Sequence, residues 1–128
     1  MIGYTLIGSN DYEKAKEFYD ALFAEVGVKR AMDFGNAQTW GEWGAGPLFG
    51  VCKPHDGNPA TAGNGTMIAL VQKSRGDVAT VHAKALALGG KDEGAPGLRG
   101  EEGESAFYGA YFRDLDGNKL CAFCIGGA

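Results

Sequence analysis

The chain is poor in the residues that mark several classes of protein. Its 128 residues include 12 lysines and arginines against 16 acidic residues, which gives a net charge of −4 at neutral pH. Because phosphate backbones are bound through a positively charged surface, this composition argues against a nucleic-acid partner. No apolar run approaches the roughly 20 residues that a membrane-spanning helix needs. We therefore expect neither a nucleic acid nor a membrane as partner.

Cysteine and histidine are also scarce, with three cysteines and two histidines. The number of cysteines is odd, and the sequence opens on a strand-like segment without a charged and apolar leader. Both features are typical of a cytoplasmic protein with reduced thiols. Cys121 and Cys124 have the C-x-x-C spacing of redox and zinc sites. They fall in a strand-like segment, where residues i and i+3 point to opposite faces. We therefore expect two separate thiols that pack as small apolar-like residues.

Glycine is the residue in excess. The 22 glycines amount to about 17% of the chain, against a usual value near 7%. They lie at turns and at the ends of strand-like segments, which predicts many tight connections and not disorder. The length and a hydrophobic content of 45% predict a single domain, residues 1–128, with a core of its own.

The most informative local pattern is a hairpin near the C-terminus. Asp116-Gly117 lies between two segments of alternating or apolar residues, and the positive φ that glycine tolerates is what tight hairpin turns require. The strand that follows has two faces of different composition. One face carries Lys119, Cys121 and Phe123, and the other carries Leu120, Ala122 and Cys124.

The chain also repeats a pattern of strand, cap, helix and glycine stop. In the first half, a strand at residues 4–8 is followed by a capping residue, Asn10, and by helical spacing over about residues 11–26. In the second half, a strand at residues 67–71 is followed by the S-x-x-D cap at Ser74 and a helix over about residues 75–88. Corresponding features of the two halves are about 63 positions apart.

Short strand-like segments follow each helix, so that each half has the order βαβββ. In the first half they lie at residues 29–34, 38–43 and 48–53, and in the second half at residues 90–93, 106–113 and 119–125. The pseudo-repeats are residues 1–53 and 65–126, joined by a loop rich in turn-forming residues. This order predicts an α+β fold in which two modules curl their mixed sheets around a cavity, with the helices outside.

Several stretches resemble a known family. They are the D-x-D-G-N hairpin at residues 114–118, Gly8-Ser9-Asn10-Asp11, Phe18-Tyr19-Asp20-Ala21-Leu22, Gly63-Asn64-Gly65-Thr66 and Gly94-Ala95-Pro96-Gly97-Leu98-Arg99. Together with the repeat, they resemble the glyoxalase/bleomycin resistance/dioxygenase family of the vicinal oxygen chelate superfamily, in a glyoxalase-related bacterial subfamily. The resemblance covers essentially the whole chain. It implies the glyoxalase/bleomycin resistance fold of two βαβββ modules.

The resemblance also implies where a metal would be held. Metal-using members take their ligands from the first and last strands of each half, and the matching positions here hold Tyr4, Met67 and Cys121, the last in place of a glutamate. The fourth position, near Phe49, offers no donor before Cys52. A phenol, a thioether and a thiol do not suit hard divalent ions, and a soft metal would find only two soft donors. We therefore expect no metal cofactor.

Without a metal, we expect the cavity to bind a small apolar or anionic molecule in a homodimer. The predicted ligand-binding residues are Tyr4, Phe49, Met67, Arg99 and Cys121. Arg99 follows a glycine-containing loop that allows it to fold over the cavity mouth and clamp an anion. Alternatively, Arg99 pairs with Glu101 or Glu102, and the aromatic lining is a packed core.

Two further sets of residues have both a catalytic and a structural interpretation. Cys121 would need a neighbouring cation such as Lys119 to act as a nucleophile, and a buried, inert thiol is the favoured interpretation. For His82 we favour local packing on the second helix, and for His55 a solvated position beside Asp56 in the loop.

Three functions therefore compete. The first is a metal-free binding protein, similar in architecture to drug-binding resistance proteins. The second is a lyase, isomerase or dioxygenase that uses a divalent metal. The third is a non-catalytic structural or regulatory homologue whose cavity is filled by its own side chains.

Overall fold

Two helices and eight strands follow one another in the order βαβββ–βαβββ, as the repeat predicts. The structure is a computed structural model and describes residues 1–127. The elements of the first half are β1 (Tyr4–Gly8), α1 (Tyr12–Ala24), β2 (Arg30–Asp33), β3 (Ala37–Trp40) and β4 (Leu48–Cys52). Those of the second half are β5 (Ile68–Val71), α2 (Arg75–Ala87), β6 (Lys91–Leu98), β7 (Phe107–Arg113) and β8 (Lys119–Ile125).

The strands form two mixed sheets of four. Sheet 1 has the order β1-β4-β3-β2 and sheet 2 has the order β5-β8-β7-β6. In each sheet the first pair is parallel and the other two pairs are antiparallel, so β1 and β5 are end strands. The two sheets, as described over residues 1–127, do not close into a barrel. The predicted α+β class and fold are confirmed.

Strand β6 is longer than the segment predicted at residues 90–93. It runs to Leu98 and pairs with β7 through irregular registers between Asp92 and Gly94 and between Gly94 and Gly97. Pro96 lies inside the second irregularity, where the ladder does not need the N–H that proline lacks. The glycines and the proline of this segment favoured a loop in the sequence. The strand forms nevertheless, because irregular registers that the sequence does not reveal accommodate these residues.

The cap of α2 is confirmed, whereas that of α1 differs from the prediction. The Asp77 amide donates to Ser74 Oγ at 3.1 Å, as the S-x-x-D pattern predicts. At α1, the Lys14 amide donates to Asp11 Oδ1 at 3.2 Å, so Asp11 is the cap and the prediction of Asn10 was wrong. The Asn10 side chain instead exchanges two hydrogen bonds with the backbone of Ala60. That long-range pair outcompetes the local cap.

One core joins both halves of the chain. The helices and the sheet faces that they cover contribute to a single cluster of buried side chains, which includes Tyr19 and Leu22 of α1, Val81 of α2, Phe49 of β4 and Leu120 of β8. Burying large aliphatic and aromatic side chains in this way contributes roughly 1.5–3 kcal/mol each. The two helices described within residues 1–127 have 13 residues each, fewer than a membrane-spanning helix needs.

Each sheet consequently has a covered face and an open face. In sheet 1, Val51 faces the core, whereas Tyr4 and Leu6 are 52% and 40% exposed. In sheet 2, Leu120 and Ala122 face the core, so the alternation of a strand places Cys121 on the other side. We refer to the uncovered sides as the open face of sheet 1 and the open face of sheet 2.

Candidate functional site

The open face of sheet 2 is organised around Cys121. The ladder places Cys121 between Tyr111 of β7 and Ala69 of β5, and Gly94 of β6 pairs with Tyr111 on the far side. These residues form one row across all four strands of the sheet. Cys124, three residues further along β8, belongs to the core cluster instead. The two thiols of the C-x-x-C motif therefore point to opposite faces, as predicted.

The Cys121 thiol is placed for packing and not for nucleophilic attack. Its residue has no exposed surface, and burial raises the pKa of the thiol, with the Tyr111 hydroxyl, Arg99 and Lys119 opposing the rise in part. Burial, together with the neighbouring Cys121, also raises the pKa of the Tyr111 phenol. A nucleophilic cysteine needs a lowered pKa. Both groups are therefore neutral at physiological pH.

Two cations lie over the Tyr111 ring. The Arg99 guanidinium carbon is 5.4 Å from the ring centroid, and Lys119 Nζ is 5.5 Å from it. These distances are within the range of cation–π contacts. Arg99 also donates to the carbonyl oxygens of Gly97 at 3.0 Å and Ala95 at 2.7 Å. The guanidinium therefore folds back over its own strand, towards the open face of sheet 2.

The alternative pairing of Arg99 with Glu101 or Glu102 is not observed. Glu102 binds Arg75 instead, whose Nη1 lies 3.0 Å from the Glu102 carboxylate. Within residues 1–127, Arg99 makes no ion pair with a carboxylate.

Two glycines of β6 make room for the folded arginine. A Cβ added at Gly97 would lie 3.2 Å from Arg99 Nη1. One added at Gly94 would lie 3.2 Å from Arg99 Nη2 and 3.0 Å from the Tyr111 ring. All three distances are tighter than nine in ten Cβ contacts in proteins. The glycines at positions 94 and 97 therefore permit the close approach of the Arg99 guanidinium to the backbone and to the Tyr111 ring.

Aromatic rings cover the neighbouring part of the same face. Phe107 and Phe123 stack with their ring centroids 5.1 Å apart and their planes 5° from parallel. Gly109 pairs with Phe123 in the ladder, and a Cβ added there would lie 2.6 Å from the Phe107 ring. The missing side chain at Gly109 therefore allows the Phe107 ring to lie flat on the sheet.

The open face of sheet 1 carries Tyr4, whose ring lies 5.8 Å from that of Phe34. The predicted site residue Phe49 lies on the covered face instead, with its ring 4.8 Å from Tyr19 and 5.5 Å from Phe23. Tyr4 pairs with Leu48 in the ladder, so Phe49 faces the other side of the sheet. Within one chain, Tyr4 and Phe49 therefore do not line the same face.

Two concavities border these faces. An apolar groove of about 530 Å³ lies between the end strands β1 and β5, and it is lined by Phe49 and Met67 among others. A more polar pocket of about 570 Å³ is lined by the loop at residues 62–66 and by Met67, Arg113 and Lys119. Met67 borders both. Of the predicted site residues, Cys121 and Arg99 share the open face of sheet 2, and Tyr4 lies on sheet 1.

The residues present do not fit a divalent metal. Among residues 1–127, no three histidine, cysteine, aspartate or glutamate side chains come together. His82 is buried on α2, with Nε2 3.0 Å from Asp92 Oδ1, and His55 is exposed. At the positions that the family uses, the donors are the Tyr4 phenol, the Met67 thioether and a thiol that burial keeps protonated. That donor set is not one that hard divalent ions prefer.

The sequence did not reveal how the hairpin before the site is anchored. Asp114, largely buried, accepts hydrogen bonds from the Tyr19 hydroxyl at 2.6 Å and from the amides of Asp116 and Asn118, both at 2.9 Å. Asn118 Nδ2 also donates to the carbonyl oxygen of Gly8 in β1. The D-x-D-G-N motif could have indicated the hydrogen bonds within the hairpin, since aspartate and asparagine cap turns with their side chains. Its connection to α1 and β1 appears only in the fold.

Comparison with solved structures identifies the family. A glyoxalase/bleomycin resistance protein from Albidiferax ferrireducens is 34% identical, with a TM-score of 0.85, and the match covers 97% of this chain and 98% of that one. A glyoxalase/bleomycin resistance protein/dioxygenase family enzyme from Burkholderia phytofirmans has a TM-score of 0.72 at 16% identity, covering 96% and 97% of the two chains. A glyoxalase-related enzyme from Fulvimarina pelagi has a TM-score of 0.71 at 15% identity, covering 97% and 87%. The last two show the fold alone.

No protein-family profile and no curated protein matches the sequence. The similarity to the Albidiferax protein nevertheless extends over almost the full length of both chains, and the order of strands and helices is the one that the resemblance implied. The chain therefore belongs to the glyoxalase/bleomycin resistance protein family of the vicinal oxygen chelate superfamily.

Proposed function

We propose that this protein binds a small apolar or anionic molecule on the open faces of its sheets, that it does so as a homodimer, and that it uses no divalent metal. The observation that carries the proposal is Cys121, a fully buried thiol where metal-using relatives have a glutamate. Because burial raises the pKa of that thiol, the position supplies neither a carboxylate nor a thiolate.

The binding part of the proposal is supported by the composition of the open faces. Binding sites for small molecules usually combine apolar and aromatic walls with a few placed polar groups. The open face of sheet 2 has the stacked rings of Phe107 and Phe123, the Tyr111 phenol and the cations of Arg99 and Lys119. This combination suits a ligand that has an apolar body and an anionic group.

The dimer is supported by the edges that one chain leaves unpaired. The end strands β1 and β5 border an apolar groove of about 530 Å³, and Val71 on β5 is 72% exposed. Unpaired strand edges and apolar patches are usually covered in soluble proteins. A second copy, related by a twofold axis, would cover them and would place an open face of one chain near that of its partner.

Three measurements on the same preparation test the proposal. Metal analysis of protein purified without chelator should give far less than one zinc, nickel, iron or manganese per chain, and Cys121→Ala should not change that content. A thermal-shift screen of planar and aliphatic compounds, neutral and anionic, should identify compounds that raise the melting temperature. Glyoxalase I activity should be absent, because that chemistry relies on a metal to polarise the enediolate oxygens.

Stoichiometric metal that is lost in Cys121→Ala would contradict the metal-free part and support an enzymatic function. If no compound stabilises the metal-free protein, the binding part is wrong, and a homologue whose open faces bind no small molecule is supported instead.

A further inference from the structure

The open face of sheet 2 carries an excess of positive charge in a chain whose net charge is −4. Arg99 and Lys119 lie there over Tyr111, and Arg113 pairs with Lys119 in the ladder and shares its face. Arg113 is neutralised, because its Nε donates to Glu93 Oε1 at 2.8 Å. Arg99 and Lys119 form no ion pair with any carboxylate of residues 1–127.

The neighbouring acidic groups do not compensate for these two charges. Burial raises the pKa of the Cys121 thiol and of the Tyr111 phenol, so neither is an anion at neutral pH. Glu93, whose pKa is lowered chiefly by its hydrogen bond from Arg113, is engaged by that arginine. Arg99 and Lys119 are therefore free to bind an anion from outside the chain.

The Arg99 side chain is held in position without a ligand. The Ala95 and Gly97 carbonyls accept two of its five N–H groups, which leaves the others for a further acceptor. A side chain fixed in this way loses less conformational freedom when it binds an anion than a free one would. Lys119 adds a second charge and also lines the polar pocket of about 570 Å³.

An aromatic surface continues from the cations along β8. Lys119, Cys121 and Phe123 succeed one another on the same face, with about 6–7 Å from each to the next. Phe123 is stacked on Phe107, so a flat ring can pack beside that pair. Cys121, between the cationic and the aromatic part, has no exposed surface, so the accessible part of this face is formed by the rings of Tyr111, Phe107 and Phe123.

We propose that Arg99 and Lys119 bind the carboxylate of an aromatic ligand whose ring system packs against Phe123. This inference rests on the proposed function and specifies the class of ligand: an aromatic carboxylate. The carboxylate meets the two unpaired cations above Tyr111, and the ring covers the apolar part of the same face.

Calorimetric titration with 2-naphthoate and with its neutral isostere 2-naphthamide tests this assignment. The wild-type protein should bind the acid at least about tenfold more tightly than the amide, since a charge-assisted contact is worth roughly 1.5–3 kcal/mol. The affinity for the acid should fall as salt is added, whereas that for the amide should not.

Arg99→Gln and Lys119→Gln should each weaken the binding of 2-naphthoate about five- to tenfold and leave that of 2-naphthamide unchanged. Lys14→Gln, which removes an exposed charge on α1, is the matched control and should change neither affinity. Both cations lie at the surface of the sheet, so circular dichroism and melting curves should show that the variants fold.

The outcomes separate this inference from the proposed function. Equal affinities for the acid and the amide, or no effect of the two glutamine variants, would overturn the carboxylate assignment and leave the binding function standing. If neither naphthalene compound binds while other compounds of the screen do, the ligand class is wrong. If no compound of the screen binds, both proposals are wrong.

Discussion

The Tyr19 hydroxyl donates a hydrogen bond of 2.6 Å to Asp114 Oδ2, which ties helix α1 of the first half to the β7–β8 hairpin of the second. Tyr19 is fully buried, and burial followed by the charge of Asp114 raises the pKa of its phenol well above the usual value. The hydroxyl therefore remains a donor. The hairpin that it anchors leads directly into β8, which carries Lys119 and Cys121.

Tyr19→Phe should destabilise the protein by about 1–3 kcal/mol, because it removes one donor from a largely buried carboxylate. The measurement is the free energy of unfolding in urea. Tyr108→Phe is the matched control, since the half-buried Tyr108 makes no side-chain hydrogen bond within the described residues; it should change stability by less than about 0.5 kcal/mol. Equal stability of Tyr19→Phe and wild type would show that the hydrogen bond is not a structural anchor.

Phe49→Ala should cost about 3–5 kcal/mol, because the ring is buried among Tyr19, Phe23 and Trp40 and its removal leaves a cavity. Tyr4→Ala, which truncates a ring that is 52% exposed, should cost less than about 1 kcal/mol. Tyr4→Ala should instead reduce the stabilisation by bound ligand. Urea unfolding with and without ligand distinguishes the two effects. A similar loss of stability in both variants would contradict the assignment of the two rings to opposite faces.

The Asp20 carboxylate should make the free energy of unfolding depend on pH under acidic conditions. Its carboxylate accepts hydrogen bonds from Arg30 and from Trp40 Nε1, and the bond from Arg30 is the main reason that the pKa of Asp20 is lowered. A lowered pKa in the folded state contributes stability above the unfolded pKa of about 3.8, and this contribution is lost as the pH falls through the folded value.

Asp20→Asn should therefore destabilise the protein at pH 7 by about 1 kcal/mol or less, given that the carboxylate is 41% exposed. The difference from wild type should shrink as the pH falls from about 5 to 3. Urea unfolding at several pH values measures it, with Glu17→Gln on the same helix as the control. A difference that stays constant with pH would contradict the role of the Asp20 charge.

Val71→Lys should convert the proposed dimer into a monomer. The wild-type chain should scatter light as a dimer at tens of micromolar, because the apolar groove beside β5 needs a cover. A lysine at Val71, which lines that groove, places a charge in the expected interface. Leu115→Lys, on the hairpin away from the groove, is the matched control and should remain dimeric. A monomeric wild-type protein would contradict the dimer.

Features that depend on residues close together in the chain were predictable from the sequence. The Ser74 cap, the repeated βαβββ order and the opposite directions of Cys121 and Cys124 all follow from local rules of capping and strand alternation. The cap of α1 was not predictable, because Asn10 binds Ala60, fifty residues away. A local rule cannot rank a local cap against such a distant partner.

The family fold was predictable from the sequence, because strand alternation, caps and turn residues act over a few positions. The residues at the positions that the resemblance assigns to a metal can likewise be identified from the sequence. The burial of Phe49 in the core and the meeting of Arg99 and Lys119 over Tyr111 depend instead on how the strands pair in three dimensions. Strands β6 and β7 pair through two irregular registers, and these fix which of their side chains share a face. Such registers are set by contacts between distant segments, and the free energy of the whole sheet selects them.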